Sequence, residues 1–140
     1  MTDSTRVAFV CVQNAGRSQM ATAFAERERD RCGLAEEIEI VTGGTDPAEG
    51  VHDIVVEAMD EVGIDLSDRR PREVTPAELQ SCGYVITMGC SAADVCPATW
   101  SGENRDWGLD DPDDRSIEEV REIRAEIEAR VADLFDELAA

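Results

Sequence analysis

The chain has 140 residues, with 13 basic and 32 acidic side chains, a formal balance of −19, and 42% hydrophobic residues. One globular domain over residues 1–140 is expected, and so acidic a surface excludes partners held by nonspecific phosphate neutralisation, so neither nucleic acid nor an anionic membrane is expected. All 13 basic residues are Arg and the acids are spread along the chain, a self-repulsion that concentrated salt screens because the Debye length falls to about 3 Å at 1 M. A cytoplasmic protein of a salt-in halophile is therefore expected.

The first apolar run, Val7 to Val12, is far too short for a signal segment or a membrane span. It fits a strand buried on both faces, the kind found in parallel sheets. Gln13 to Arg17 reads as a tight polar turn, and Ser18 opens a helix with Met20, Ala21, Phe24 and Ala25 on one face. Ile38 to Thr42 is a second strand, closed by Gly43 and Gly44. Val51, Val55, Met59 and Val62 mark a second helix ended by Gly63.

Thr75, Pro76 and Glu78 supply an N-cap, a proline at the first helical position and a capping-box acid, so a short helix begins there. Tyr84 to Met88 is a third buried strand, and another is expected near Trp107, Gly108 and Leu109. Ser116 and Glu119 form a capping box for a last helix whose stripe is Ile117, Val120, Ile123, Ile127, Val131, Leu134 and Leu138. Strands alternating with helices predict a three-layer α/β sandwich, with a parallel sheet between helices on both faces. Ligands then bind beyond the carboxyl ends of the strands.

Five cysteines, Cys11, Cys32, Cys82, Cys90 and Cys96, occur without a CxxC pair and with His52 as the single histidine, so no metal cage is expected and thiol chemistry leads. Cys11 and Arg17 bracket the turn between the first strand and the first helix. The backbone N–H groups of Val12, Gln13, Asn14, Ala15, Gly16, Arg17 and Ser18 can curl around one tetrahedral anion while Arg17 clamps two of its oxygens. The same positive field favours an ionised, nucleophilic Cys11, to which Ser18 can donate a hydrogen bond. Asp110-Asp111-Pro112 follows the expected fourth strand, where a carboxylic acid can protonate a leaving oxygen.

Cys90 and Cys96 follow the third strand. Six residues on an ideal helix advance about 9 Å and turn roughly 240°, which sets the two sulfurs apart. A bridge between them needs Cα atoms about 4.4–6.8 Å apart, hence a loop or an unwound helix. Cys32 and Cys82 lie away from strand carboxyl ends and are read as bystanders. His52 is read as a solvated residue in a helix's first turn, and the Arg69, Arg70, Arg72 cluster as pairing with local carboxylates.

The stretch from Cys11 to Met20, Asp65 within Gly63 to Ser67, Val85 to Cys90 with Cys96 and Pro97, and Trp107 to Pro112 together resemble the low-molecular-weight phosphotyrosine phosphatase superfamily, in particular its thioredoxin-coupled arsenate reductase branch. The resemblance implies a flavodoxin-like fold with a four-stranded parallel sheet. It also implies that Cys11 attacks arsenate, that Arg17 and the loop hold its oxygens, and that Asp111 protonates the leaving hydroxide. Cys90 then attacks the Cys11 sulfur and Cys96 resolves the bridge, leaving a Cys90–Cys96 disulfide for thioredoxin or a similar dithiol. Asn14 is implied to hold the loop's strained backbone.

No cofactor and a monomeric chain are expected. Thr22 stands where potassium-binding members carry Glu, so a full potassium site is not expected although Asn14 and Asp65 are present. Asp113 and Asp114 stand where the phosphatases place aromatic residues, which argues against phosphotyrosine proteins as substrates. The alternatives are a small-molecule or protein-tyrosine phosphatase working through a cysteinyl phosphate, and a noncatalytic oxyanion or redox sensor.

Overall fold

The computed structural model describes residues 5–88, 102–113 and 115–139. Within them run β1 (Thr5–Cys11), α1 (Arg17–Arg31), β2 (Ile38–Gly44), α2 (Asp53–Asp60), α3 (Pro76–Gln80), β3 (Tyr84–Met88), β4 (Glu103–Asp106) and α4 (Ile117–Ala139). All neighbouring strands are parallel and the sheet order is β2-β1-β3-β4, the four-stranded sheet that the resemblance implies.

The period-two alternation of β1 divides the core. Val7, Phe9 and Cys11 face the larger cluster, with Met20 and Phe24 of α1, Val55 and Met59 of α2, and Ile127, Val131 and Phe135 of α4. Ala8 and Val10 face the other side, with Val74, Leu79, Cys82 and Val85. Each large apolar side chain fully removed from water in this way contributes roughly 1.5–3 kcal/mol before the entropy of ordering it is subtracted. Among the described residues, no helix is long and apolar enough to cross a membrane.

Capping follows the sequence closely. Thr75 Oγ1 accepts from the Glu78 N–H while the Glu78 carboxylate accepts from the Thr75 N–H, and Ser116 and Glu119 repeat the exchange at the start of α4. After α2, Gly63 adopts φ +79, so that the N–H groups of Gly63 and Ile64 close onto the carbonyls of Asp60 and Met59.

Three expectations change. The fourth strand is Glu103–Asp106, upstream of Trp107, and apart from a half-buried Arg105 it is exposed. An edge strand needs only its ladder, which the Asn104 side chain reinforces by donating to the Val85 carbonyl at 3.1 Å, so apolar patterning places it too late. Second, α1 is not buried along one face: every residue from Arg17 to Ala25 is buried, because its first half lies among the sheet, α4 and its own N-terminal loop. Third, Gly43 and Gly44 do not close β2 but belong to it. A Cβ on Gly44 would stand 2.5 Å from the Val12 carbonyl oxygen and 3.0 Å from Asn14 N, so the loop after β1 needs a bare backbone beside it.

Candidate active site

Cys11 is the last residue of β1 and is in register with Gly44 on one side and Met88 on the other. It sits at the sheet's carboxyl edge, where the chain reverses its direction of winding. The loop that follows is turned by its carbonyls. Those of Cys11, Val12, Gln13 and Ala15 accept from the N–H groups of Thr45 (3.2 Å), Asp46 (2.8 Å), Ala48 (3.0 Å) and His52 (3.0 Å). In a trans peptide the next N–H points the opposite way, so those of Val12, Gln13, Asn14 and Gly16 turn away from residues 45–52. That of Asn14 donates to Cys11 Sγ at 3.2 Å, and those of Val12, Gln13, Ala15, Gly16, Arg17 and Ser18 meet no acceptor among the described residues. The N-cap of α1 is Gly16, with no side-chain cap and no acid in the first turn, which leaves the positive end of the helix open to an anion.

Asn14 holds this curl. It is the single non-glycine residue with positive φ (52°) among the described residues, a conformation Asn tolerates better than most. All four hydrogen-bonding positions of its buried amide are used. Nδ2 donates to Ser18 Oγ at 2.6 Å and Thr42 Oγ1 at 2.9 Å; Oδ1 accepts from Gln19 Nε2 and from the Arg72 N–H, each at 3.1 Å. Because Ser18 Oγ already accepts from Asn14, its one proton is free to point at Cys11 Sγ, 2.8 Å away. The sulfur can thus receive two donors, an arrangement suited to an anionic nucleophile.

Arg17 is 8% exposed. Its Nη1 donates to the Leu109 carbonyl at 3.1 Å and its Nη2 lies 3.7 Å from Asp111 Oδ2. Trp107 and Leu109 are buried, with the Trp107 ring 5.9 Å from that of Phe9, and they anchor a segment whose next residues emerge beside Arg17. The Asp111 side chain is 53% exposed, and its Oδ1 accepts from the Asp113 N–H at 3.0 Å, forming a local turn. Pro112 packs on Gly16, where an added Cβ would stand 2.7 Å from Pro112 Cγ.

The structure therefore brings Cys11, Asn14, Arg17, Ser18 and Asp111 to one edge of the sheet. Cys90 and Cys96 lie outside the described residues, as does Asp114. Of the bystanders, Cys32 is exposed and Cys82 buried. Asp65 serves its own turn: the Ser67 hydroxyl and N–H both donate to Oδ1, at 2.6 and 2.8 Å, and hold its carboxyl below the usual range. Thr22 is buried, and its hydroxyl has no partner among the described residues. Arg69 and Arg72 pair with Glu26 (2.5 Å) and Glu78 (2.8 Å), but Arg72 also donates to the Thr42 carbonyl and so braces the Asn14 network.

His52 differs from expectation. It caps α2 rather than lying within it, its side chain is 19% exposed, and it faces the loop instead of solvent. Gln19, Thr42 and Arg72 also carry the site, and sequence reasoning misses them because their roles depend on contacts between segments distant in the chain. The one local cue is Gln19, a polar residue directly before the apolar positions Met20 and Ala21.

An uncapped helix after a parallel strand, a sulfur that receives the Asn14 N–H and a buried arginine are the parts a cysteine-based oxyanion site requires. The chain belongs to the low molecular weight phosphotyrosine protein phosphatase family, whose model matches residues 6–140. Within that family it resembles arsenate reductases. It is 60% identical over 134 residues to a Halobacterium salinarum protein provisionally named arsenate reductase, covering 96% of this chain and 93% of that one. It is 36% identical over 130 residues to an arsenate reductase of Halalkalibacterium halodurans, covering 88% and 89%. Among solved structures it matches a thioredoxin-dependent arsenate reductase of Corynebacterium glutamicum with a TM-score of 0.77 and 34% identity. That match covers 97% of this chain but 62% of the Corynebacterium chain.

Proposed function

We propose that this protein is an arsenate reductase that converts arsenate to arsenite through a cysteine nucleophile and an intramolecular disulfide relay, working in the cytoplasm. The observation that carries the reading is the Cys11 sulfur held by Ser18 and Asn14; the arsenate reductase names of its relatives supply the substrate. Arsenate enters the loop, with two of its oxygens on the Arg17 guanidinium. The Cys11 thiolate attacks arsenic and one hydroxide leaves as water, taking its proton from Asp111. The product is an adduct with a sulfur–arsenic(V) bond.

Cys90 then attacks the Cys11 sulfur. The electron pair of the sulfur–arsenic bond passes to arsenic, arsenite departs, and a Cys11–Cys90 disulfide remains. Cys96 attacks Cys90 in turn and releases the Cys11 thiolate, leaving a Cys90–Cys96 disulfide that an external dithiol of the thioredoxin type reduces. No metal and no cofactor is needed for any of these steps.

The test is arsenite formation with thioredoxin, its reductase and NADPH, in KCl of about 1 M to screen the acidic surface. Turnover is expected in the wild type and not in Cys90→Ser, with oxyanion binding retained in both. Reduced protein that binds arsenate but yields no arsenite contradicts the proposal. The second reading, a phosphatase, follows from the family itself; it predicts phosphate ester turnover that survives Cys90→Ser.

A further inference from the structure

His52 is the sole histidine of the chain, and it touches both halves of the site. Its backbone N–H donates to the Ala15 carbonyl of the oxyanion loop at 3.0 Å. Its ring Nε2 lies 3.1 Å from Gln13 Oε1, the next side chain but one after Cys11. Its other ring nitrogen, Nδ1, faces Asp113 Oδ1 at 4.0 Å, and its Cδ2 closes over Gly16, 3.6 Å from where a Cβ would sit. Pro112 packs on that same glycine from the other segment. The imidazole is thus wedged between the loop that holds the sulfur and the turn that carries Asp111.

The chemistry of the ring gives the wedge a direction. An amide oxygen can only accept, so Nε2 is the donor in the tautomer that pairs with Gln13 Oε1. With Nε2 so occupied, Nδ1 offers the carboxylate a lone pair in the neutral ring and an N–H in the imidazolium. An imidazolium Nδ1–H can pair with Asp113 Oδ1, which stands 4.0 Å away. Asp113 is the residue whose N–H holds Asp111 Oδ1 at 3.0 Å, while Asp111 Oδ2 faces Arg17. Gln13 and Asp113 are the groups that the structure sets against the ring nitrogens; Asp53, the neighbour in sequence, is exposed on α2.

We propose that His52 is a positioning residue that latches the Asp111–Asp113 turn onto the oxyanion loop through Gln13 on one side and Asp113 on the other. It touches no reacting atom. Its effect falls on the step that Asp111 serves, and so rests on the reading of Asp111 as the proton donor to arsenate's leaving oxygen. Ground-state oxyanion binding, which uses Arg17 and the loop N–H groups, is left nearly intact.

The test uses the full chain with His52→Asn, His52→Ala, Asp113→Asn and the His52→Ala, Asp113→Asn double variant. His52 makes no side-chain cap bond to α2, and Asn is a favoured N-cap, so His52→Asn is expected to melt at the wild-type temperature or above it. A merely structural role would then leave its turnover whole. The latch instead predicts that each single variant lowers kcat about three- to tenfold, the size of a sub-ångström loss of alignment. KM for arsenate and Kd for phosphate should stay within about twofold, and the double variant should fall no further than the singles.

A second readout does not depend on turnover. Amide hydrogen exchange over residues 111–113 should quicken several-fold in His52→Ala relative to wild type. If the wild type reduces no arsenate, the proposed function fails while exchange still decides the latch. Unchanged kcat in His52→Asn, additive losses in the double variant, or unchanged exchange at 111–113 overturns the proposal.

Discussion

Gly16→Ala perturbs the contact between the two halves of the site with a single carbon. An added carbon at Gly16 meets the segment that carries Asp111. The new Cβ would lie 2.7 Å from Pro112 Cγ and 3.4 Å from Cδ, and only an ordinary 3.6 Å from His52 Cδ2. Carbon atoms rest at about 3.5–4.0 Å, so the proline ring must retreat by roughly 1 Å. A ring closed on its own backbone cannot swing away alone, and the movement passes to Asp111, whose Oδ2 is already 3.7 Å from Arg17 Nη2.

A 1 Å misplacement of a reacting group can cost about 100-fold. Gly16→Ala should therefore lower kcat for arsenate by about 10- to 100-fold. Phosphate affinity, measured by calorimetry, should change about threefold or less, because the loop N–H groups and the Arg17 bond to Leu109 remain. Pro112→Ala in the Gly16→Ala background removes the obstructing Cγ and Cδ and should restore part of kcat. Full turnover in Gly16→Ala, or phosphate binding lost in proportion to kcat, would contradict this coupling between Gly16 and Asp111.

Other perturbations probe the scaffold. Asn14→Ala strips four hydrogen bonds from a buried hub and forces alanine to φ 52°; a loss of about 2–4 kcal/mol in urea unfolding is expected, with Asn14→Gly recovering the backbone part but not the turnover. Gly44→Ala drives a Cβ into the Val12 carbonyl, and should cost about 1–3 kcal/mol by the same measurement and weaken phosphate binding. Glu61 accepts from Arg121 and Arg124 between α2 and α4, and these bonds hold its carboxyl at about 2, below the usual 4.5. A depressed carboxyl stabilises the fold above its unfolded value and loses that contribution as pH falls from 4.5 toward 2. Glu61→Gln should thus be the less stable protein at neutral pH and converge with wild type in acid. The difference should shrink in molar salt, and equal pH dependence of the urea midpoints would contradict the assignment.

The parts of this fold legible in the sequence are those written in short-range pattern. The Val7 to Val12 run, the Tyr84 to Met88 run and the two capping boxes each specify an element through neighbours a few residues away. The Cys11 to Ser18 loop is legible for the same reason, since a strand, a polar turn and an uncapped helix start occupy consecutive residues. What stays hidden depends on distant segments. β4 reads as polar because an exposed edge strand needs little apolar surface. His52 reads as solvated because Gln13 and Asp113 reach it from 39 residues before and 61 after. The brace of Arg72 on Asn14 crosses 58 residues, and no spacing rule reveals it.

Cys11 is proposed as the nucleophile that hands its oxidation to the later cysteine pair. Peptide mass mapping after a single arsenate turnover without external reductant tests it most directly. One Cys90–Cys96 disulfide and one equivalent of arsenite are expected in the wild type, and a trapped Cys11–Cys90 bridge in Cys96→Ser. Free thiols throughout, or a bridge that forms equally well in Cys11→Ser, would contradict it.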